Sequence, residues 1–504
     1  MYRKYLVLLF ALLQGSVLNA QHKVSQQHLA HPLVPDHVAD PSVVSFDGQF
    51  YLYGTTDINM GLQKGGAPVV WKSADFVNWH FEGLLELGVD WNRAYFFKDK
   101  DGKDKTGYFR YWAPGNVIKK DKQFYLYVTI VKPDDQLGTY VLKADQPEGP
   151  FKFTNGTGIY FNDPINAATE TKPLLDDIDG DPFVDDDGQA YIYWRRRKAA
   201  AMNSDLISMK GAPLEIPTKF KGYSEGPGLF KRNGIYYYFY TLSGHASYSN
   251  GYMISRKGPL GPFENPAGKN IFIYSNPEKG IWGPGHGNVF HLPGTDAYYF
   301  VYLEYGEGGT TRQVYANRIY FNEDGTLKPM VPDQQGVGKL TDVKDKRGIN
   351  IARLSKVTAS SVRLSREVEG TVTADEDSKL ANPNVAERKV KRTFDYQPAN
   401  AADESNATRW NALADDKSPW IMFDLGKVHK ISSCEISFAL PTVGHSWVLE
   451  KSADGIKWEN EASQITMAIR SPHVVSKSFK ARYLRVRITG GEPGLWEMKI
   501  FSKN

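Results

Sequence analysis

One cysteine, Cys434, stands in 504 residues, so no disulfide can close within the chain and packed cores must carry its stability. Charge of one sign is also missing: 61 Lys and Arg against 57 Asp and Glu give a formal +4. A nucleic-acid surface needs basic residues gathered on one face, and no nucleic-acid partner is expected. Long apolar runs are absent beyond the first residues. There Arg3-Lys4 precedes the short run from Tyr5 to Leu13, and Leu18-Asn19-Ala20 supplies small residues. That run is too short for a membrane span and reads as a secretory signal over residues 1–20. With no cysteine near the cleavage site, a secreted or periplasmic location without a lipid anchor is expected. Helical periodicity is scarce as well.

Aromatic residues are plentiful, at 13%, within a hydrophobic total of 41%. Such a composition suits a folded, β-rich protein, and the length exceeds what one core holds, so two domains are expected. Cys434, in Ile431-Ser432-Ser433-Cys434-Glu435-Ile436, reads as a buried strand residue.

The aromatics recur in a pattern. Asp40-Pro41-Ser42-Val43-Val44 leads through Asp47-Gly48 to Phe50-Tyr51-Leu52-Tyr53. Trp112-Ala113-Pro114 leads to Phe124-Tyr125-Leu126-Tyr127, and Asp181-Pro182-Phe183-Val184 leads through Asp187-Gly188 to Tyr191-Ile192-Tyr193-Trp194. Glu225-Gly226-Pro227 leads through Asn233-Gly234 to Tyr236-Tyr237-Tyr238. Last, Gly285-His286-Gly287-Asn288-Val289-Phe290 leads to Tyr298-Tyr299-Phe300-Val301-Tyr302. The Asp-Gly and Asn-Gly pairs are hairpin signals. Strand groups repeated at intervals of tens of residues indicate a propeller, here of five blades. Two insertions interrupt it, at 61–66 and at 98–105. The repeat ends after Asp324-Gly325, and a Gly-rich, charged linker follows at 336–348.

The first strand of each propeller blade lines the axis, so equivalent residues of different repeats converge at one mouth. Asp40, Asp181 and Glu225 are such equivalents, with His286 at the fifth. Carboxyl groups crowded there raise one another's proton affinity, leaving one protonated and one ionised near neutrality. Glycosidic hydrolysis requires that pairing. Trp112 and Tyr111, next to the mouth, are candidates for stacking on a sugar ring. The hairpin from Trp71 to Trp79 reads as structural.

The ordered set Asp-Pro, Trp-Ala-Pro, Asp-Pro-x-x-Asp-Asp-Asp-Gly, Ser-Glu-Gly-Pro and Gly-Pro-Gly-His-Gly, across residues 35 to 330, resembles glycoside hydrolase family 43. The resemblance implies a five-bladed propeller that hydrolyses glycosides with inversion. By position it implies Asp40 as general base, Glu225 as general acid and Asp181 as the residue that tunes and orients the acid. His286 matches a central histidine that in many members sits beside a calcium or sodium ion held through water, and Arg312 matches an arginine that contacts the sugar. The chemistry itself requires no cofactor. Gly115 departs from the pattern, since many members carry Asp after Trp-Ala-Pro.

The remainder, 349–504, is similar to the discoidin-like (factor 5/8 type C) β-sandwich through Asn350-Ile351-Ala352, Thr408-Arg409-Trp410, Trp420 to Gly426, Ser452 to Trp458 and Ala481 to Val486. A charged excursion from about 364 to 392 interrupts it. Such domains often bind carbohydrate, with Trp447 and Trp496 as loop candidates and Arg409 and Trp410 as fold-determining residues. The expected fold is therefore all-β: a catalytic propeller over 21–335 and a β-sandwich of discoidin or jelly-roll type. The expected partner is an oligosaccharide or polysaccharide; oligomeric state is left open. The expected activity is removal of terminal pentose, as an α-L-arabinofuranosidase or a β-xylosidase, with galactan-directed hydrolysis third. A non-catalytic carbohydrate-binding propeller is the rival of another class.

Overall fold

The computed structural model describes residues 31–57, 65–218, 223–242, 248–266, 271–374, 379 and 384–503. The segment read as a secretion signal lies outside them, as do residues 61–64 of the first insertion and 375–378 and 380–383 of the charged excursion.

Five antiparallel sheets follow one another along the first three hundred residues. Blade I comprises Val38–Phe46, Gln49–Thr56 and Val70–Ser73. Blade II is built on Arg110–Trp112, Gln123–Val131 and Leu137–Ala144. Blade III runs Asp181–Val184, Ala190–Trp194, Lys198–Met202 and Met209–Glu215. Blade IV runs Gly228–Arg232, Ile235–Leu242, Ser249–Ser255 and Ile271–Ile273. Blade V comprises Gly287–His291, Tyr298–Glu304 and Gln313–Ile319. The turns are those the sequence indicates: Asp47-Gly48 and Asn233-Gly234 both hold positive φ at both residues, the geometry that matches strand twist in a two-residue hairpin.

Blades bury their second strands on both faces, which is why those strands read as unbroken aromatic runs. All eight residues of Ile235–Leu242 are buried. The tyrosines there also tie blade to blade. Tyr53 of blade I donates its hydroxyl to Pro147 O (2.6 Å), and Tyr127 of blade II to Leu206 O (2.5 Å). Tyr193 of blade III donates to Pro259 O, and Tyr237 of blade IV to Gly325 O, both at 2.6 Å. Each bond satisfies a buried hydroxyl and carbonyl together, worth about 1 kcal/mol net. The ring closes where Leu33 N–H donates to Val314 O (2.8 Å) and where Asn288 of blade V exchanges two hydrogen bonds, both 2.8 Å, with the Val43 backbone of blade I.

The second domain is a nine-stranded assembly around the long strand Trp420–Phe438. Its first half pairs with Phe479–Gly490 and its second with Gly494–Ser502. A register shift between Asp424 and His429, at Gly426 with φ 77°, separates the two halves. Trp410, Phe423, Ile436, Phe438, Leu449 and Leu484 fill the core. Cys434 is fully buried in the long strand, as expected. Trp447 and Trp496, in contrast, are not loop residues. They lie on strands at 4% and 1% exposure; Trp447 Nε1 donates to His473 Nδ1 (2.9 Å). Trp447 has no face open to a sugar, and the Arg409 guanidinium lies over the Trp496 ring at 4.7 Å.

The charged excursion forms a hairpin, Arg366–Val372 with Arg388–Phe394, that reaches back to the propeller. Thr371 N–H donates to Gly308 O (3.0 Å), and a Cβ on Gly308 would stand 2.9 Å from the Gly370 carbonyl carbon. Only two glycines let these backbones meet so closely. Arg388 pairs with Glu307 and lies over the Trp282 ring. The arm thus braces the loop between Tyr298–Glu304 and Gln313–Ile319, which carries Tyr305 and Arg312.

Candidate active site

Asp40 sits at a register shift in the first strand of blade I, with φ 47°. Thr55 Oγ1 donates to its Oδ2 (2.8 Å), and Arg312 Nη2 donates to the same oxygen (2.7 Å). The buried Arg312 also pairs with Asp57 through Nε (3.0 Å). Burial works against the guanidinium's charge, but Asp57 and Asp40 outweigh it and hold it protonated. Asp57 is itself pushed up to about 6 by burial, against the pull of Arg312.

Glu225 precedes the first strand of blade IV, its backbone fixed by Thr241 through N–H to Oγ1 (3.1 Å) and Thr241 N–H to its carbonyl (3.0 Å). Two phenols converge on its carboxyl: Tyr248 on Oε1, and Tyr223 on Oε2 at 2.6 Å. Asp179 is the third acid. Its Oδ2 accepts Gly226 N–H (2.9 Å). His286 Nδ1 lies 3.7 Å from Asp40 Oδ1 and 3.9 Å from Asp179 Oδ2. Gly226, at φ 51°, has no room for a side chain: a Cβ would strike the imidazole at 2.6 Å. Burial pushes Asp179 up to about 7, helped by Glu225 and Asp40 and opposed by His286 and the Gly226 N–H.

Asp40, Asp179, Glu225, His286, Arg312 and Trp112 line one cavity of about 390 Å³, together with Tyr248, Tyr305 and the apolar Leu137, Ile178 and Leu303. Two sequence expectations need correction. Asp181 does not line this cavity. Both its oxygens are taken by Asn116, from N–H (2.8 Å) and Nδ2 (3.2 Å), in a polar plug that continues through Asn288. The mouth position in blade III lies before the strand starts, at Asp179, two residues upstream. Tyr111 is fully buried, edge-on to Trp91. Successive strand residues face opposite sides, so with Trp112 at the cavity Tyr111 must face the blade core. Trp112 lies under the Arg110 guanidinium (5.1 Å).

Gly115 has a steric cause: a Cβ there would come within 2.3 Å of Gly180 O. The acid reading also missed Tyr223, Tyr248, Tyr305 and Asp57, which sit at no repeated position. Asp179 could have been found. Counted back from the turns, Asp179 stands 8 residues before Asp187, as Glu225 stands 8 before Asn233, while Asp181 stands only 6 before it; Asp40, 7 before Asp47, falls between the two spacings.

For the ion implied beside His286, the side chains provide no chelating set: among the described residues no three His, Cys, Asp or Glu groups are placed to hold a metal. An ion there would need backbone carbonyls and water, and no chemical step is routed through one.

The two aspartates predict different variants. Burial pushes both aspartates up to about 7, but only Asp179 lines the cavity, so Asp179→Asn should move the alkaline limb of kcat/KM to lower pH. Asp181→Asn would turn an amide N–H toward Asn116's donors, costing about 1–3 kcal/mol in thermal melts while leaving that limb in place. Identical pH profiles for Asp179→Asn and the wild type would contradict this division.

A propeller whose blades converge three carboxyls, an arginine and a histidine on one cavity is the architecture of a glycosidase. The sequence pattern described as Glycosyl hydrolases family 43 matches residues 29–327, and the F5/8 type C domain matches 385–499. The chain belongs to glycosyl hydrolases family 43. It is 29% identical over 334 residues to "Beta-D-galactofuranosidase xynD" of Aspergillus niger, covering 62% of this chain and 88% of that one. It is 27% identical over 399 residues to "Arabinoxylan arabinofuranohydrolase" of Bacillus subtilis, covering 67% and 72%. A solved structure titled "Glycoside hydrolase" superposes with a TM-score of 0.79 at 40% identity, covering 93% of this chain and 98% of that one.

Proposed function

We propose that the protein is an exported inverting glycosidase that removes terminal pentose residues from plant polysaccharides or oligosaccharides, as an α-L-arabinofuranosidase. The observation that carries this reading is the single cavity of about 390 Å³ holding Asp40, Asp179 and Glu225 together with the buried Arg312. A cavity of that size suits one sugar ring rather than a stretch of chain. Two relatives, the Aspergillus galactofuranosidase and the Bacillus arabinofuranohydrolase, bear names that specify furanosides, which supports a five-membered ring. β-Xylosidase activity is the second reading, since other relatives are named xylosidase/arabinosidase.

In this mechanism Asp40, held by Thr55 and Arg312, takes a proton from a water whose oxygen bonds to the anomeric carbon. The glycosidic C–O bond breaks as Glu225 gives its proton to the leaving oxygen. Asp179, beside the Glu225–Gly226 turn, holds the cluster's proton and orients the acid. Arg312 sets Asp40's position. Trp112 offers a face to the sugar.

Proton NMR of the first-formed sugar should show the configuration opposite to the substrate's. Aryl α-L-arabinofuranoside should turn over faster than aryl β-D-xylopyranoside and β-D-galactofuranoside. A retained anomer would refute single displacement. Inactivity on the whole panel with oligosaccharide binding intact would favour a carbohydrate-binding propeller.

A further inference from the structure

A second cavity, of about 200 Å³, lies where the two domains meet, and the active-site chemistry does not use it. His37 lines it from the propeller, Arg366 and Arg392 from the arm, and Arg409, Tyr396 and Trp496 from the body of the second domain. Three guanidiniums therefore face one small space.

None of the three makes an ion pair with a carboxylate among the described residues. Arg409 is only 9% exposed. It stacks over Trp496 at 4.7 Å and Tyr396 at 5.7 Å, and its Nη1 meets His37 Nε2 at 3.1 Å. Arg392 reaches Thr311 Oγ1 at 3.4 Å and lies over Phe394. Two carboxylates lie close by: Asp36, whose Oδ1 accepts His37 N–H (2.9 Å) while its buried Oδ2 has no hydrogen-bond partner among the described residues, and Asp395, which lines the cavity and accepts Asn400 Nδ2 on Oδ1 (2.7 Å). Of the three only Arg409 is buried, and there burial outweighs the attraction of Tyr396 and Asp36, so its charge is incompletely compensated, a costly arrangement.

His37 supplies a further clue. Arginine can only donate, so Nε2 is the acceptor and the ring's proton sits on Nδ1. That N–H is buried with no hydrogen-bond partner among the described residues. An oxyanion in the cavity would meet guanidinium forks, the groups that bind carboxylate and phosphate in paired fashion.

We propose that the domain junction is a binding site for an oxyanion, either the carboxylate of an acidic sugar such as a hexuronate or a free inorganic phosphate. The site is joined to the catalytic cavity by a short path. His37 O accepts Asp57 N–H (2.9 Å), and Asp57 pairs with the Arg312 that holds Asp40. The second domain then serves as one wall of a shared site, to which both its arm and Trp496 contribute.

Isothermal titration of the full chain at low salt, with D-glucuronate, inorganic phosphate and neutral D-xylose as separate probes, tests this. An anion should saturate one site, and its affinity should fall about tenfold or more in Arg366→Gln/Arg392→Gln and less in the exposed single variant Arg366→Gln. Xylose binding should be the same in all three proteins. Tighter binding of glucuronate than of phosphate assigns the site to acidic sugars; binding of phosphate alone assigns it to the free ion. No saturable anion binding, or equal affinity in wild type and a folded double variant, overturns the proposal.

Discussion

Replacing Asp40 by asparagine is expected to lower kcat/KM on an aryl pentoside by about 10²–10⁴-fold, with the fall in kcat and little change in KM. The amide keeps the size of the carboxyl but cannot take a proton from water. Thr55 and Arg312 converge on one oxygen of Asp40, so an amide oxygen can still accept from both and the variant should fold. Arg312 retains Asp57 as counter-charge at 3.0 Å, which limits the loss of stability. Asp40→Ala separates a base from a merely structural acid. Azide should restore part of its activity and yield a glycosyl azide of inverted configuration, because a small anion can attack from the vacated side. Wild-type turnover in Asp40→Asn, or no azide product from a folded Asp40→Ala, would remove Asp40 from the role.

The repeat was the legible part. Asp-Gly and Asn-Gly turns set the two-residue hairpins, and the aromatic runs marked strands buried on both faces. Because equivalent blade positions meet at the axis, Asp40, Glu225, His286, Arg312 and Trp112, distant in sequence, do share one cavity. Asp181 misled because the Asp-Pro pair is a local signature. The mouth residues stand 7 or 8 positions before the turn and Asp181 only 6, among acids at 176, 177, 179 and 181. Tyr111 failed by strand alternation, a rule readable from its neighbour Trp112. Tyr223, Tyr248 and Tyr305 were out of reach because they approach from connections that no repeat relates. The junction cavity was equally hidden, since its arginines come from an excursion that reads as a solvated charge run until the arm folds back. Trp447 and Trp496 carried a sugar-binding expectation that the sheet overturns by burying them.

Glu225→Gln should show a loss that depends on the leaving group. A glycosidic oxygen of an oligosaccharide needs a proton as its bond to carbon breaks, so kcat/KM there should fall by about 10²–10⁴-fold. A dinitrophenolate leaves unaided, so the dinitrophenyl glycoside of the same sugar should lose far less. The Tyr223 and Tyr248 hydroxyls both donate to the carboxyl. In the variant one of them must instead accept from the amide, a rearrangement that a rotating hydroxyl permits. The folded structure should therefore persist, and a melt close to the wild type would show it. The leaving-group dependence is the discriminating readout, because a purely structural glutamate would lower both substrates by the same factor. An equal loss on the two would move the acid's role elsewhere in the cavity, with Asp179 first in line.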